Sequence, residues 1–178
     1  AAQSVPTTQT AQPHAQVSLL DNQYQRGELQ PDGGFHLLDK ESGIRFDNLH
    51  QLQDSLDEGD EYNYRAPKND VLVSPTAANT QIGPIATNSL YTECTVQTTV
   101  PVHGAPLPIT YTLRLAQDSR RLDITLELEN QHDNHRLRVL FPTEIDTDYA
   151  SADGQFEVVR RRIQPTEVWE NPSDCHPQ

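Results

Sequence analysis

An all-β fold, an antiparallel β-sandwich, is what this sequence predicts, and two alternating segments with polar turns predict it. In Leu107 to Leu115, the residues Leu107, Ile109, Tyr111, Leu113 and Leu115 fall on one face of an extended chain. In Arg121 to Asn130, Leu122, Ile124, Leu126 and Leu128 oppose Asp123, Thr125, Glu127 and Glu129. Each segment therefore has one face to bury and one to leave wet. The link Gln117-Asp118-Ser119-Arg120 reads as the turn of a hairpin. Short segments of this kind recur along the chain, and no repeat at a solenoid period is visible.

The remaining elements follow in chain order. Asn22 to Leu29 reads as a strand. Gly34 to Lys40 and Gly43 to Phe46 flank Glu41-Ser42 and read as a small hairpin. Asp47 to Tyr64 differs: Leu49, Leu52 and Leu56 carry a helical spacing, or anchor an irregular loop, and Gly59 ends any helix. Leu90 to Val100 is a long strand rich in Thr and Val, with Leu90, Cys94, Val96 and Val100 on its inner face. Pro101, Pro106 and Pro108 bracket the next turn. Arg136 to Phe141 is a strand stopped by Pro142, and Gln155 to Ile163 is another, with Phe156 and Val158 facing one way.

Composition bounds the function. A length of 178 residues suits one domain, or one domain less a few strands. The chain contains no Met and opens on a polar, Pro-containing stretch, which reads as a piece of something larger. Residues 1–16 are expected to be a flexible segment, 17–170 the β-sandwich, and 171–178 a tail. A net charge of −13 opposes nucleic acid and anionic membrane as partners, because both demand a cationic face. No apolar run is long enough to span a bilayer as a helix. Cys94 and Cys175 lie far apart and form no CxxC pair, so free thiols and a cytoplasmic setting are expected.

Four constellations could carry chemistry. The acidic run Asp54, Asp57, Glu58, Asp60, Glu61 invites calcium, but Leu56 interrupts the oxygen-ligand pattern and the distant glutamate is missing. The same carboxylates could form a glycosidase pair, yet an exposed acidic loop cannot hold one of them specially protonated. No catalytic residue is assigned. His132 and His135 have a zinc-like spacing without a third ligand, so a polar turn is the better reading and no metal residue is assigned. Arg136, Arg138, Arg160, Arg161 and Arg162 form the basic concentration. They are read as partners of the many carboxylates, or as a contact for another domain or an acidic substrate group. Trp169, the sole tryptophan, reads as a core or domain-interface residue.

Two blocks resemble a known family. They are Asn134-His135-Arg136-Leu137-Arg138-Val139-Leu140-Phe141-Pro142-Thr143, continued by Tyr149-Ala150-Ser151-Ala152-Asp153-Gly154-Gln155-Phe156, and Asp57-Glu58-Gly59-Asp60-Glu61-Tyr62-Asn63-Tyr64. Both resemble the C-terminal β-domain of bacterial family 38 glycoside hydrolases, the zinc-dependent α-mannosidases, including those acting on mannosylglycerate-type substrates. The resemblance implies a sandwich of the galactose-mutarotase-like (supersandwich) type, truncated because the family's domain continues beyond Gln178. It implies an accessory role beside a catalytic domain and other domains of the same parent chain, with a carbohydrate, a mannoside, as substrate. The family's zinc is held by a His-x-Asp element elsewhere; none occurs here, so zinc is expected in the parent's catalytic domain and no cofactor in this chain. A Gly-x-Tyr-like loop of that domain reaches the sugar, and Gly59-Asp60-Glu61-Tyr62 occupies the matching place with one additional residue. Tyr62, Asp60 and Tyr64 are the substrate-edge candidates, Tyr62 first, since a phenol can stack on a sugar and hydrogen-bond a hydroxyl. The alternative from another class is a stand-alone carbohydrate-binding module, which needs exposed aromatics; aromatic residues make up 6% of the chain.

Overall fold

The computed structural model of this chain describes residues 19–60, 62 and 64–163. Strands β1 (Leu19–Asp21), β2 (Gln25–Leu29), β3 (Phe35–Asp39) and β4 (Arg45–Leu49) form an antiparallel meander in that order. β5 (Gln51–Leu56) follows at once. β6 (Thr80–Ile82), β7 (Ala86–Thr87), β8 (Tyr91–Val102), β9 (Ala105–Ala116) and β10 (Leu122–Leu128) build a second sheet, ordered β10-β9-β8-β6 with β7 also on β8. β11 (His135–Leu140) returns to pair with β5, and β12 (Tyr149–Asp153) pairs with β13 (Val158–Arg162). All these pairings are antiparallel.

The long hairpin β8–β9 is the spine, in register from Tyr91↔Ala116 to Val102↔Ala105. His103 and Gly104, with φ of 48° and 81°, make its two-residue turn. Positive φ at both central residues matches the right-handed twist of the strands. The three prolines bracket this turn as expected, but they lie inside the strands, which run on to Val102 and resume at Ala105. Pro101 opposes Pro106, and Pro108 opposes Thr99. In an antiparallel ladder counted from this turn, these positions direct their backbone nitrogens away from the partner strand. β6 ends its pairing at Thr98 and β10 ends its own at Ile109, so the missing N–H groups interrupt no ladder.

The inward faces of the meander, the β5–β11 pair and the second sheet meet in one core. Val96, Val100, Val102, Leu107, Ile109, Leu113 and Leu115 are fully buried together with Leu20, Leu29, Phe35, Leu49 and Leu52. The β9 alternation is the one the sequence predicts. β10 keeps its predicted face, but Leu122, Ile124 and Leu126 are only half-buried and Leu128 is 38% exposed, since β10 ends its sheet. Leu90 is not on the inner face of β8: it lies before the strand and is 70% exposed.

Three expectations change. Asn22 to Leu29 is not one strand, because Asn22 turns the chain between β1 and β2. Its Oδ1 accepts from the Tyr24 and Gln25 nitrogens at 2.8 and 2.7 Å. Its Nδ2 donates to the carbonyls of Ala116 and Ser119 at 2.7 and 2.8 Å, bolting the meander to the β9–β10 turn. Asp47 to Leu56 is neither helix nor loop but the β4–β5 corner. Asn48 and His50 adopt φ of 56° and 58°, which shifts the side-chain parity and lets Leu49 and Leu52 both face inward at a spacing of three. Phe156 sits in the β12–β13 turn, where the Gly154 nitrogen donates to the Glu157 carbonyl at 2.7 Å; Phe156 is 92% exposed. The expectations for residues 1–16, 171–178, Trp169 and Cys175 lie outside the described residues.

Candidate functional site

The excursion between β5 and residue 73 carries the predicted site. Its ends are tied: Leu56 N donates to Asp70 Oδ1 at 2.9 Å, and Asp54 exchanges two backbone bonds with Val73. A neck forms further out, where Glu58 N donates to the Arg65 carbonyl at 2.8 Å and Arg65 N donates to Asp57 Oδ1 at 3.0 Å. Asp57 Oδ1 also accepts from Gly59 N at 2.8 Å. Aspartates thus shape the loop through local turns, as short carboxylates do. Asp54, counted with this acidic run in the sequence, is a strand residue instead, pointing into the body and 2% exposed.

Beyond the neck the loop presents its candidates. Asp60 Oδ1 accepts from Tyr62 N at 2.9 Å and sets the turn there. Tyr62 projects outward and is 84% exposed. Tyr64 lies under the Arg136 guanidinium, 4.4 Å from its ring centroid. Such a contact contributes about 0.5–1 kcal/mol at an exposed position. Asp57 N donates to the Asn134 carbonyl at 3.0 Å, fixing the loop against the turn that leads into β11. The two sequence blocks that carry the family resemblance are therefore neighbours in space. The loop carries an exposed aromatic and a carboxylate, and its Tyr64 packs under a guanidinium of β11, residue types suited to hydroxyl-rich or anionic ligands.

Sequence reasoning listed Arg136 among the basic residues without tying it to Tyr64. Alternation alone places Arg136 on a strand face and does not reveal the ring beneath it. The expected carboxylate pairing is also absent: among the described ion pairs, none uses Arg136, Arg138, Arg160, Arg161 or Arg162. Arg138 instead donates to Gln53 Oε1 at 2.6 Å, and Arg160 lies over Tyr149.

His135 belongs to the body. Its Nδ1 meets Asp54 Oδ2 at 2.6 Å with both side chains 3% exposed, and its Nε2 meets Asn130 Oδ1 at 3.0 Å. The same Asn130 oxygen accepts from His132 N at 3.1 Å, which fixes it as an acceptor. His132 Nε2 faces the Pro106 carbonyl at 3.2 Å. With both nitrogens of His135 engaged, the His-x-x-His spacing does not fit zinc. Among the described residues no group of three His, Cys, Asp or Glu side chains is placed to hold a metal.

A cavity of about 130 Å³ shares no residue with the loop; Asp32, His50, Ser74 and Tyr111 help line it. His50 is 2% exposed, and its Nδ1 is a buried atom without a hydrogen-bond partner. Burial lowers its pKa from 6.5 to about 4. Burial likewise raises the Tyr111 phenol, which donates to the Gly33 carbonyl. A groove of about 510 Å³ beside β10, lined by Pro106, Pro108, Glu127, Glu129 and His132 among others, has no Trp, Tyr or Phe in its wall. It lacks the platform a stand-alone sugar-binding module needs.

Comparison with known proteins adds the following. Residues 20–176 match the family described as "Glycosyl hydrolases family 38 C-terminal domain". A curated relative of Halalkalibacterium halodurans, named "Putative mannosylglycerate hydrolase", is 25% identical over 90% of this chain and 21% of its own length. The crystal structure of an alpha-mannosidase from Enterococcus faecalis V583 superimposes with a TM-score of 0.78 at 27% identity, covering 88% of this chain and 21% of that one. A second Enterococcus faecalis structure, of a protein in glycosyl hydrolase family 38, gives 0.72 at 26% identity, with 88% and 22% covered. The chain thus spans about a fifth of the length of these relatives, which are larger proteins with this domain as one part.

Proposed function

This chain belongs to the glycosyl hydrolase family 38 C-terminal domains, and from that premise we propose that it is the accessory β-domain of an α-mannosidase-like enzyme. In this reading it buttresses a catalytic domain of the same polypeptide and lends one edge to the carbohydrate cleft. The parent hydrolyses α-mannosides, with mannosylglycerate-type compounds as one substrate class, in keeping with the name of the curated relative. The zinc of that chemistry would lie in the catalytic domain of the parent; in this domain both ring nitrogens of His135, half of the zinc-like His-x-x-His spacing, are engaged by Asp54 and Asn130. A cytoplasmic location accords with Cys94, a buried free thiol directed at the Gly83 carbonyl. No helix among the described residues is long and apolar enough to cross a membrane.

The observation that carries the reading is the exposure of Tyr62. A large aromatic held outside its own domain by a tied-off loop does nothing for this fold. It has value where a sugar ring or another domain meets it. Asp60 shapes the turn that presents it, and Tyr64 with Arg136 flanks it. The guanidinium there suits a carboxylate on the aglycone, as in a glycerate.

Kinetics of the full-length parent test this. Tyr62→Phe removes one hydroxyl contact worth about 0.5–1.5 kcal/mol, a several-fold fall in kcat/KM. Tyr62→Ala removes the ring as well and lowers kcat/KM further. Neither should alter the melting temperature, because the side chain is 84% exposed. Unchanged kinetics in both variants, with zinc bound normally, would remove Tyr62 from the cleft.

A further inference from the structure

We infer that the β12–β13 hairpin is a docking arm that seats on a carboxylate-bearing surface of another domain of the same polypeptide. This rests on the accessory-domain reading above and names the surface through which that domain attaches.

The hairpin pairs along its length, from Tyr149↔Arg162 to Asp153↔Val158. Among the described residues its two strands nevertheless pack chiefly against each other, and nearly every residue in them is exposed. A two-stranded hairpin that rests on nothing is marginal in water. Its tip and flank carry apolar side chains: Phe156 is 92% exposed and Val158 69%. Two scattered residues would need no explanation, but these two stand on one element with Arg160 and Arg162.

The arginines are arranged. Arg160, Arg162 and Tyr149 share one face, and the two guanidinium carbons lie 4.0 and 5.6 Å from the Tyr149 ring centroid. Stacking pre-orients their donor forks, so less freedom is lost when a carboxylate arrives. Arg161 occupies the opposite face. None of the three takes part in an ion pair among the described residues, although the chain holds 26 acidic and 13 Lys and Arg residues. Three cations without a carboxylate among the described residues of so acidic a chain suit an anionic partner surface. Arg, Tyr and Phe together are the residue types that dominate the centres of protein interfaces. The relatives are about five times longer than this chain, so a domain in the same polypeptide meets the arm at a high effective concentration.

The test uses the full-length parent. Hydrogen exchange should show the amides of residues 149–162 protected. Arg160→Glu with Arg162→Glu should accelerate them at least tenfold while the β8–β9 amides stay unchanged. A photoreactive p-benzoylphenylalanine at position 156 should cross-link to an acidic segment of the same polypeptide outside residues 1–178. Unprotected hairpin amides in the wild-type parent, or unchanged exchange in the double variant, would overturn the inference. So would a cross-link to a second copy or within residues 1–178. If the double variant also loses β8–β9 protection, it has failed to fold and the cross-link decides. A parent in which the arm docks as described but which turns over no aryl α-mannoside supports the arm and refutes the mannosidase reading.

Discussion

Asp54 explains at the residue scale why β5 escaped a sequence reading. The strand presents Leu52, Asp54 and Leu56 on one face, and a carboxylate in the middle hides the alternation. What the sequence does not reveal is that His135, 81 residues away, meets that carboxylate at 2.6 Å. His135→Ala leaves a buried charge uncompensated and should destabilise the domain by about 3–5 kcal/mol. Replacing both residues by Leu should cost less than the single change. Urea unfolding of the two variants decides, and equal losses would mean that the pair acts merely as packing. His50 gives a pH dependence. It is held neutral, with its pKa lowered from 6.5 to about 4 by burial. The unfolded chain takes up a proton below 6.5 that the folded chain refuses. Its contribution is therefore complete above that pH and is lost as pH falls toward about 4, on the order of 3 kcal/mol in all. His50→Asn, which tolerates the positive φ of 58° without titrating, should flatten the melting temperature across that window. A slope identical to wild type would show that His50 is not the group responsible.

At the scale of elements, β9 and β10 show what periodicity can and cannot tell. Both alternate equally well in sequence, yet Leu113 is fully buried and Ile124 only half-buried. The difference is one of position: β9 is flanked by strands on both sides, whereas β10 ends the sheet. Strand order is set by long-range pairing, which no local pattern encodes. Leu113→Ala should cost about 2–5 kcal/mol, Ile124→Ala about 1 kcal/mol for half the burial, and Glu127→Ala under about 0.5 kcal/mol. Thermal melts in that rank order support the assignment, and equal shifts for Leu113 and Ile124 would contradict it. The β4–β5 corner was legible only in part. The leucine spacing is plain, but the left-handed turns at Asn48 and His50 that convert it from helical to extended need the fold around them. The His103-Gly104 turn could have been read from its glycine, had the prolines beside it not drawn the strand ends inward.

At the scale of the whole molecule, the shared core of the described residues explains stability, and two features lie outside it. One is the tied loop that holds Tyr62 outward, and the other is the arginine-bearing hairpin. The loop was legible as a candidate through the resemblance of its Gly59-to-Tyr62 segment to a family element, and the Asp57 and Asp60 turns that shape it are local. The hairpin's stacked arginines were not, since the ring that holds Arg160 sits on the neighbouring strand. Both features point away from the core, as the proposed accessory role requires. The accessory role is tested most directly by comparing two proteins on an aryl α-mannoside with zinc present: the full-length parent, and residues 1–178 alone at high purity. Turnover by the parent and none by residues 1–178 is the predicted result. Turnover by the isolated chain, abolished by Tyr62→Ala or Asp60→Asn, would contradict it, and so would a zinc-loaded parent that leaves the mannoside intact.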